Sequence, residues 1–418
     1  MSVLTKKFKL GVPLLLVVVL LSGFAGHFLS TLSLQSVLIG ISEIDIATSN
    51  TDDNEFLVYW DEFCEELKLA GRQVAALAPG DLEVDQAEGF RYITRMLRLG
   101  LLSEFENADP QYPVIWESET PTMKSAANNP DQLYHELLFD GQGTYRISGQ
   151  RGSTPLIEFT VYEGRLGSSD SSAYVGHITE DDLIVGDNGH FEIVLSPEPH
   201  SGNWIKTTPQ SNVVLIRQYR FDWEQDLSAR MTVTREDVAM APRPLTLATL
   251  RDGLEKTSEF VQRSIKFWTG ISRLTSMRVE NDFAPPILGD ETEEANDSTL
   301  PQGHTLQPGY FKMADDEALI IEFTPPEGIT YWGFAVYNWW YENLDYRFAT
   351  VHTNMFSATP ASDGRVKIIV AKTDPGLPNW VSTENHNQGT MLFRWTRPEP
   401  GIQYPEISTH LVKLEDLQ

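Results

Sequence analysis

The sequence predicts a mainly β protein with helical additions: two related antiparallel β-sandwich or jelly-roll-like units, an N-terminal helical hairpin and a bridging helix. Three observations carry this. Short runs rich in Val, Ile, Tyr and Phe alternate with glycine turns from Tyr112 onward. Four ordered pairs of features recur at a separation of 175 to 177 positions. Apolar residues at helical spacing are confined to three stretches.

The first 42 residues read as a signal peptide or membrane anchor. Lys6, Lys7 and Lys9 precede LGVPLLLVVVLLSGFAG, and no charged residue follows until Glu43. Gly23 and Ala25 could flank a cleavage site, while apolar character persists through Phe28, Leu29 and Leu38, enough to span a bilayer. Either outcome places the chain in the cell envelope, outside the cytoplasm, either held to the membrane through this segment or secreted after cleavage.

Residues 43–110 are expected to form the helical hairpin. Phe56, Trp60, Phe63, Leu67, Val74 and Leu77 mark one face of its first helix, which Pro79-Gly80 ends. Asp85 and Glu88 have capping-box spacing, and Phe90, Ile93, Leu97, Leu101 and Phe105 mark a face of the second. The lone cysteine, Cys64, excludes an intrachain disulfide and reads as a small core residue.

Residues 111–240 are the first β unit. LYHELLFDGQGTYRISG reads as a hairpin turned at Asp140-Gly141, and DLIVGDNGHFEIVLS as a second turned at Asn188-Gly189; NVVLIRQYRF closes the unit. Residues 241–304 bridge the two units. A helix bearing Leu247, Leu250, Leu254, Val261, Ile265 and Trp268 follows Pro242-Arg243-Pro244, and the acidic run Gly289 to Gly303 is an exposed linker. Residues 305–418 are the second β unit.

The recurring pairs relate the two units. Val161-Tyr162 matches Val336-Tyr337, Gly189 matches Gly364, Asn203-Trp204 matches Asn379-Trp380, and Arg217 matches Arg394. The segments GYFKMADDEALIIEFTPPEGITYWGFAVYNWW, DGRVKIIVAKTDPGLPNWVST and GTMLFRW resemble the bacterial family catalogued as domain of unknown function 1214. The preceding region, from EGFRYITRMLRLGL through the first β unit, resembles the corresponding part of the long family members. The resemblance implies a β-sandwich and carries over no catalytic residue.

The net charge of −27 opposes binding to nucleic acid. No glycine-rich phosphate loop or nucleophile elbow is present, so no cofactor is expected. His177, His190 and His200 with Asp181, Asp182 and Asp187 fit no compact metal motif, and no metal is expected. The densest concentration of chemistry is YWGFAVYNWWYENLDYRF, from Tyr331 to Phe348. Aromatic bodies beside amide and guanidinium tips suit a small apolar or glycan ligand, which selects Asn338, Trp339, Trp340, Tyr341, Arg347, Asn379, Trp380 and Arg394 as the binding set. The competing structural reading makes Trp380 a plug, Asn379 a turn cap, and Arg394 the partner of Asp345 or Glu342. An enzyme reading, a hydrolase or lyase on such a ligand, would use Glu342, Asp345 or His386. A third reading makes the aromatic patch an interaction surface, for which a homo-oligomer is one outcome.

Overall fold

The computed structural model describes residues 54–80, 83–125, 127–167, 172–239, 241–289, 300–301, 303–399 and 401–417. The segment expected to be a leader or anchor, and most of the acidic run expected to be an exposed linker, lie outside the described residues. Among the described residues, no helix is long and apolar enough to cross a membrane.

Helix α1 spans Glu55–Leu77 and α2 spans Glu83–Gly100, running into a π-helical turn at Leu101–Glu106. The helices fall where expected, but the buried faces differ. On α1, Phe63, Ala70 and Val74 are buried, whereas Phe56 and Trp60 are exposed and Cys64 is half-buried. On α2 the inward face is Asp85, Gly89, Tyr92, Arg95, Met96 and Leu99, and Phe90 points outward. Asp85 is the third residue inside α2 and fully buried, so it is not the expected cap. Its backbone carbonyl instead accepts a hydrogen bond from Trp340 Nε1 at 2.9 Å.

The first β unit contains β1 (Ile115–Glu119), β2 (Gln132–Leu138), β3 (Tyr145–Gln150), β4 (Ile157–Glu163), β5 (Ala173–Thr179), β6 (His190–Ser196), β7 (Asn203–Lys206), β8 (Val213–Tyr219) and β9 (Arg230–Arg235). One sheet has the order β1-β2-β8-β4-β5 and the facing sheet β7-β6-β3-β9. Helix α3, Leu247–Arg278, follows as expected, its N-terminus closed by a Thr246–Thr249 capping box.

The second unit contains β10 (Asp282–Phe283), β11 (Ile287–Leu288), β12 (His304–Lys312), β13 (Glu317–Phe323), β14 (Ile329–Tyr337), β15 (His352–Asn354), β16 (Val366–Ala371), β17 (Trp380–Ser382), β18 (Gln388–Pro398) and β19 (Ser408–Lys413). Its sheets have the orders β10-β12-β18-β14-β15 and β17-β16-β13-β19, with β11 also on β12. Apart from the added β11, each strand has a counterpart at the same place in the first unit. Pairing is antiparallel except for β6 with β7 and β16 with β17, which are parallel in both copies.

The duplication extends to single hydrogen bonds. Asn203 Oδ1 accepts from Ile184 N, and its Nδ2 donates to the carbonyls of Ile184 and Glu192. Asn379 makes the same three bonds with Thr359 and Lys367. Trp204 Nε1 donates to Ser196 O at 3.1 Å, and Trp380 Nε1 to Ala371 O at 3.0 Å.

Neither expected hairpin forms. β2 and β3 lie in opposite sheets, as do β5 and β6, and DLIV is not a strand. Asp140-Gly141 and Asn188-Gly189 are arches between sheets rather than turns within one. The local signal is the same in both cases, because a turn-forming pair reverses the chain either way; Gly189 and its counterpart Gly364 have φ of +77° and +83°. NVVLIRQYRF supplies the central strand β8, and β9 follows it.

Alternation along the central strands sorts their side chains. Val214 and Ile216 of β8 enter the core of the first sandwich, and Met391, Phe393 and Trp395 of β18 enter that of the second. The opposite faces carry Leu215 and Arg217, and Leu392 and Arg394. Contacts between the two sandwiches include Tyr219 Oη with Thr396 Oγ1 at 3.0 Å, His304 Nε2 with Glu158 Oε2 at 2.6 Å, and Tyr331 Oη donating to Asp131 Oδ2 at 2.7 Å.

Candidate functional site: a cavity between the two sandwiches

A cavity of about 400 Å³ lies where the outer faces of β8 and β18 meet helix α3. Leu215, Leu392, Leu306, Phe260 and Trp268 give it apolar walls. Leu166, Phe267, Leu274 and Ile287 also line it and are exposed, forming an apolar rim. The volume falls in the range of small-molecule pockets, about 300–1,000 Å³.

Four arginines line this cavity, and their surroundings differ. Arg165 is held by Glu104 and Glu136. Arg217 pairs with Glu158 at 3.3 Å, and the Tyr162 hydroxyl accepts from it at 3.3 Å. Arg278 is exposed. Arg394 donates to Ala127 O and to the Tyr337 hydroxyl, both uncharged. Among the described residues Arg394 forms no ion pair.

Two carboxylates, Glu119 and Glu136, also line the cavity. Glu119 receives hydrogen bonds from the backbone and hydroxyl of Ser125. Burial outweighs these and pushes its carboxyl up to about 8, so it is protonated at neutral pH. Nearby, Lys124 is fully buried and donates to the carbonyls of Asn343 and Leu344 at 2.6 and 2.9 Å. Burial lowers its ammonium to about 8.

A family profile described as "Protein of unknown function (DUF1214)" matches residues 131–221 and 314–400. An uncharacterised protein from Burkholderia cenocepacia, known by crystal structure, is 32% identical over 87% of this chain and 99% of its own, with a TM-score of 0.79. This chain belongs to the DUF1214 family. A Vibrio parahaemolyticus crystal structure is 10% identical, covering 82% of this chain and all of its own, at a TM-score of 0.44. No curated protein is significantly similar. The two DUF1214 matches correspond to the two sandwiches, and they contain Arg217 and Arg394 respectively.

Of the binding set expected from sequence, the DUF1214 cavity is lined by Tyr341 and Arg394. Trp339 and Trp340 are instead buried clamps. Trp339 Nε1 donates to Leu77 O at the end of α1, and Trp340 stacks on Tyr92 of α2 at 6.3 Å. A β-carbon at Gly89 would lie 2.3 Å from the Trp340 ring, so α2 approaches this closely only because it has glycine there. Asn338 accepts from the backbone N–H groups of Trp340 and Glu342, shaping the turn that leaves Tyr341 at φ +64°. Arg347 lies at the surface, paired with Asp345 at 2.6 Å. Asn379 and Trp380 make the repeated scaffold bonds described above.

Arg394 pairs with neither Asp345 nor Glu342, contrary to that structural expectation. Glu342 is sealed and bonded to Arg95 of α2 at 2.8 Å. Burial raises its carboxyl despite Arg95. Asp345 is held at about 2 by its hydrogen bonds from Arg347. His386 is buried, with Nδ1 2.9 Å from Thr383 O. None of these three lines the cavity. Among the described residues, no three His, Cys, Asp or Glu side chains converge as metal ligands; His177 Nδ1 meets the Tyr174 hydroxyl at 2.6 Å.

Sequence reasoning passed over Leu215, Glu119 and Tyr134, and took Arg217 only as the counterpart of Arg394. The signal for two of these was present: NVVLIRQY alternates, which sets Leu215 and Arg217 on the face opposite Val214 and Ile216. Glu119 and Tyr134 carry no comparable mark.

Proposed function

We propose that this protein binds a small, largely apolar molecule in the cavity between its two sandwiches. The observation that supports this is the combination of a 400 Å³ apolar-walled space with an exposed apolar rim. A sealed core would have closed such a space by packing, since interiors are filled to crystal density. The binding site is thus displaced from the aromatic segment to its edge, where Tyr341 stacks on Trp268 at 5.6 Å. The hydrolase or lyase alternative gains no support, because Glu342, Asp345 and His386 stand outside the cavity.

An apolar ligand would bind the folded state and raise its melting temperature by mass action. A thermal-shift panel of long-chain alcohols, fatty acids, aromatic acids, sterols and sugars tests this. Shifts confined to the apolar members support the reading, and a panel without any shift overturns it.

The same proposal places the protein in the cell envelope, on the strength of the basic and apolar N-terminal segment. Fractionation of cells expressing the full chain tests that part. Recovery in the cytoplasm alone would refute it.

A further inference from the structure

We infer that the molecule taken into this cavity carries a carboxylate, and that Arg394 is the residue that receives it. The inference rests on the binding reading above and adds the ligand's head group.

The two copies differ in what faces this arginine. In the first, the cross-strand neighbour of Arg217 on β4 is Glu158. Glu158 neutralises Arg217, and it also meets His304. In the second, the cross-strand neighbour of Arg394 on β14 is Gly333. The second copy has the arginine without the counter-ion that the first copy places across from it. Glycine is required at that place, because a β-carbon would lie 2.2 Å from the Tyr331 hydroxyl.

Arg394 therefore presents a permanent positive charge to a largely apolar cavity, bonded among the described residues only to a backbone carbonyl and a phenol. Withdrawing a charge from water without an opposite charge is costly, and the cost is relieved when an anion arrives. The guanidinium Nε and Nη1 make no hydrogen bond among the described residues. A planar fork with free donors suits the two oxygens of a carboxylate. The other cations of the cavity do not compete: Arg165 and Arg217 already hold glutamates, and Arg278 is exposed. Leu215, Leu306, Leu392, Phe260 and Trp268 supply the apolar part of the wall, and against it the rest of the ligand is a hydrocarbon chain or ring system.

A matched pair of probes separates head from body. Dodecanoate and dodecanol, each below its aggregation limit at pH 7, are titrated calorimetrically into the full-length protein. Dodecanoate is expected to bind at least tenfold more tightly. In Arg394→Met the two should bind within about twofold of each other. Arg394→Lys, which keeps the charge but loses the fork, should retain part of the preference and guards against a Met variant that does not fold. Equal binding of both probes by the wild type overturns the carboxylate inference and leaves the apolar pocket standing. Binding of neither removes both. A preference that survives in Arg394→Met overturns the assignment to Arg394.

Discussion

Arg394 stands directly across the β14–β18 ladder from Gly333, the place that Glu158 occupies opposite Arg217 in the first sandwich. Two copies of one fold thus present the same cation to one cavity, neutralised on one side and, among the described residues, not on the other. Glycine at 333 follows from its neighbour two residues back. The Tyr331 ring lies over that position, with its hydroxyl donating to Asp131.

Gly333→Ala should therefore destabilise the protein. Strand propensity alone favours alanine, but the new methyl group must displace the Tyr331 hydroxyl and strain its bond to Asp131. Overpacking of this kind costs about 1–3 kcal/mol. Urea unfolding measures it, and a neutral or stabilised variant would contradict the packing described.

Trp340→Ala should lower the melting temperature of the ligand-free protein markedly. Trp340 is fully buried against Tyr92 and Gly89, and its indole N–H is spent on Asp85 O. Removing a buried tryptophan costs about 3–5 kcal/mol. An unchanged melting temperature with loss of ligand binding would restore Trp340 as a ligand contact.

Arg95 and Glu342 form a sealed ion pair between α2 and the aromatic segment. Arg95→Met leaves Glu342 buried without its cation, at a cost of about 3–5 kcal/mol. Adding Glu342→Gln should recover much of that loss, since the stranded charge is then gone. A double-mutant cycle measures the recovery, and strict additivity would contradict the pairing.

Glu119 gives the stability a pH dependence of definite sign. Its carboxyl ionises at 4.5 when exposed and at about 8 in the folded chain. Between those values the folded state holds a proton that the unfolded state has lost. Stability should fall as pH rises through that window, by at most about 1.4 kcal/mol per unit. Lys124 acts with the opposite sign, and only above about pH 8. Chemical denaturation from pH 5 to 8 should show a flatter profile for Glu119→Gln than for the wild type. Parallel profiles would remove Glu119 as the source.

The duplication and the three helices were legible because they depend on pattern. Asn203-Trp204 and Asn379-Trp380 recur because each asparagine closes the same three backbone hydrogen bonds. Hairpins were misread because a glycine reversal is local, whereas the choice between one sheet and the facing one is made by distant strands. The aromatic segment was misplaced for a related reason. A run of rings shows that something large is buried there, but not whether a ligand or a helix buries it. Gly89 was the missing clue, since only a glycine lets α2 lie against Trp340. The cavity itself was invisible, because its walls come from strands and a helix far apart in the chain.

The most direct test of the account fills the cavity. Leu306 lines it from β12 and is only partly buried, so Leu306→Trp should occupy the space without disturbing either sandwich core. Calorimetric titration of dodecanoate into this variant should give no measurable binding, with an apo melting temperature no lower than the wild type's. Undiminished binding in a folded Leu306→Trp protein would place the ligand elsewhere and contradict the account.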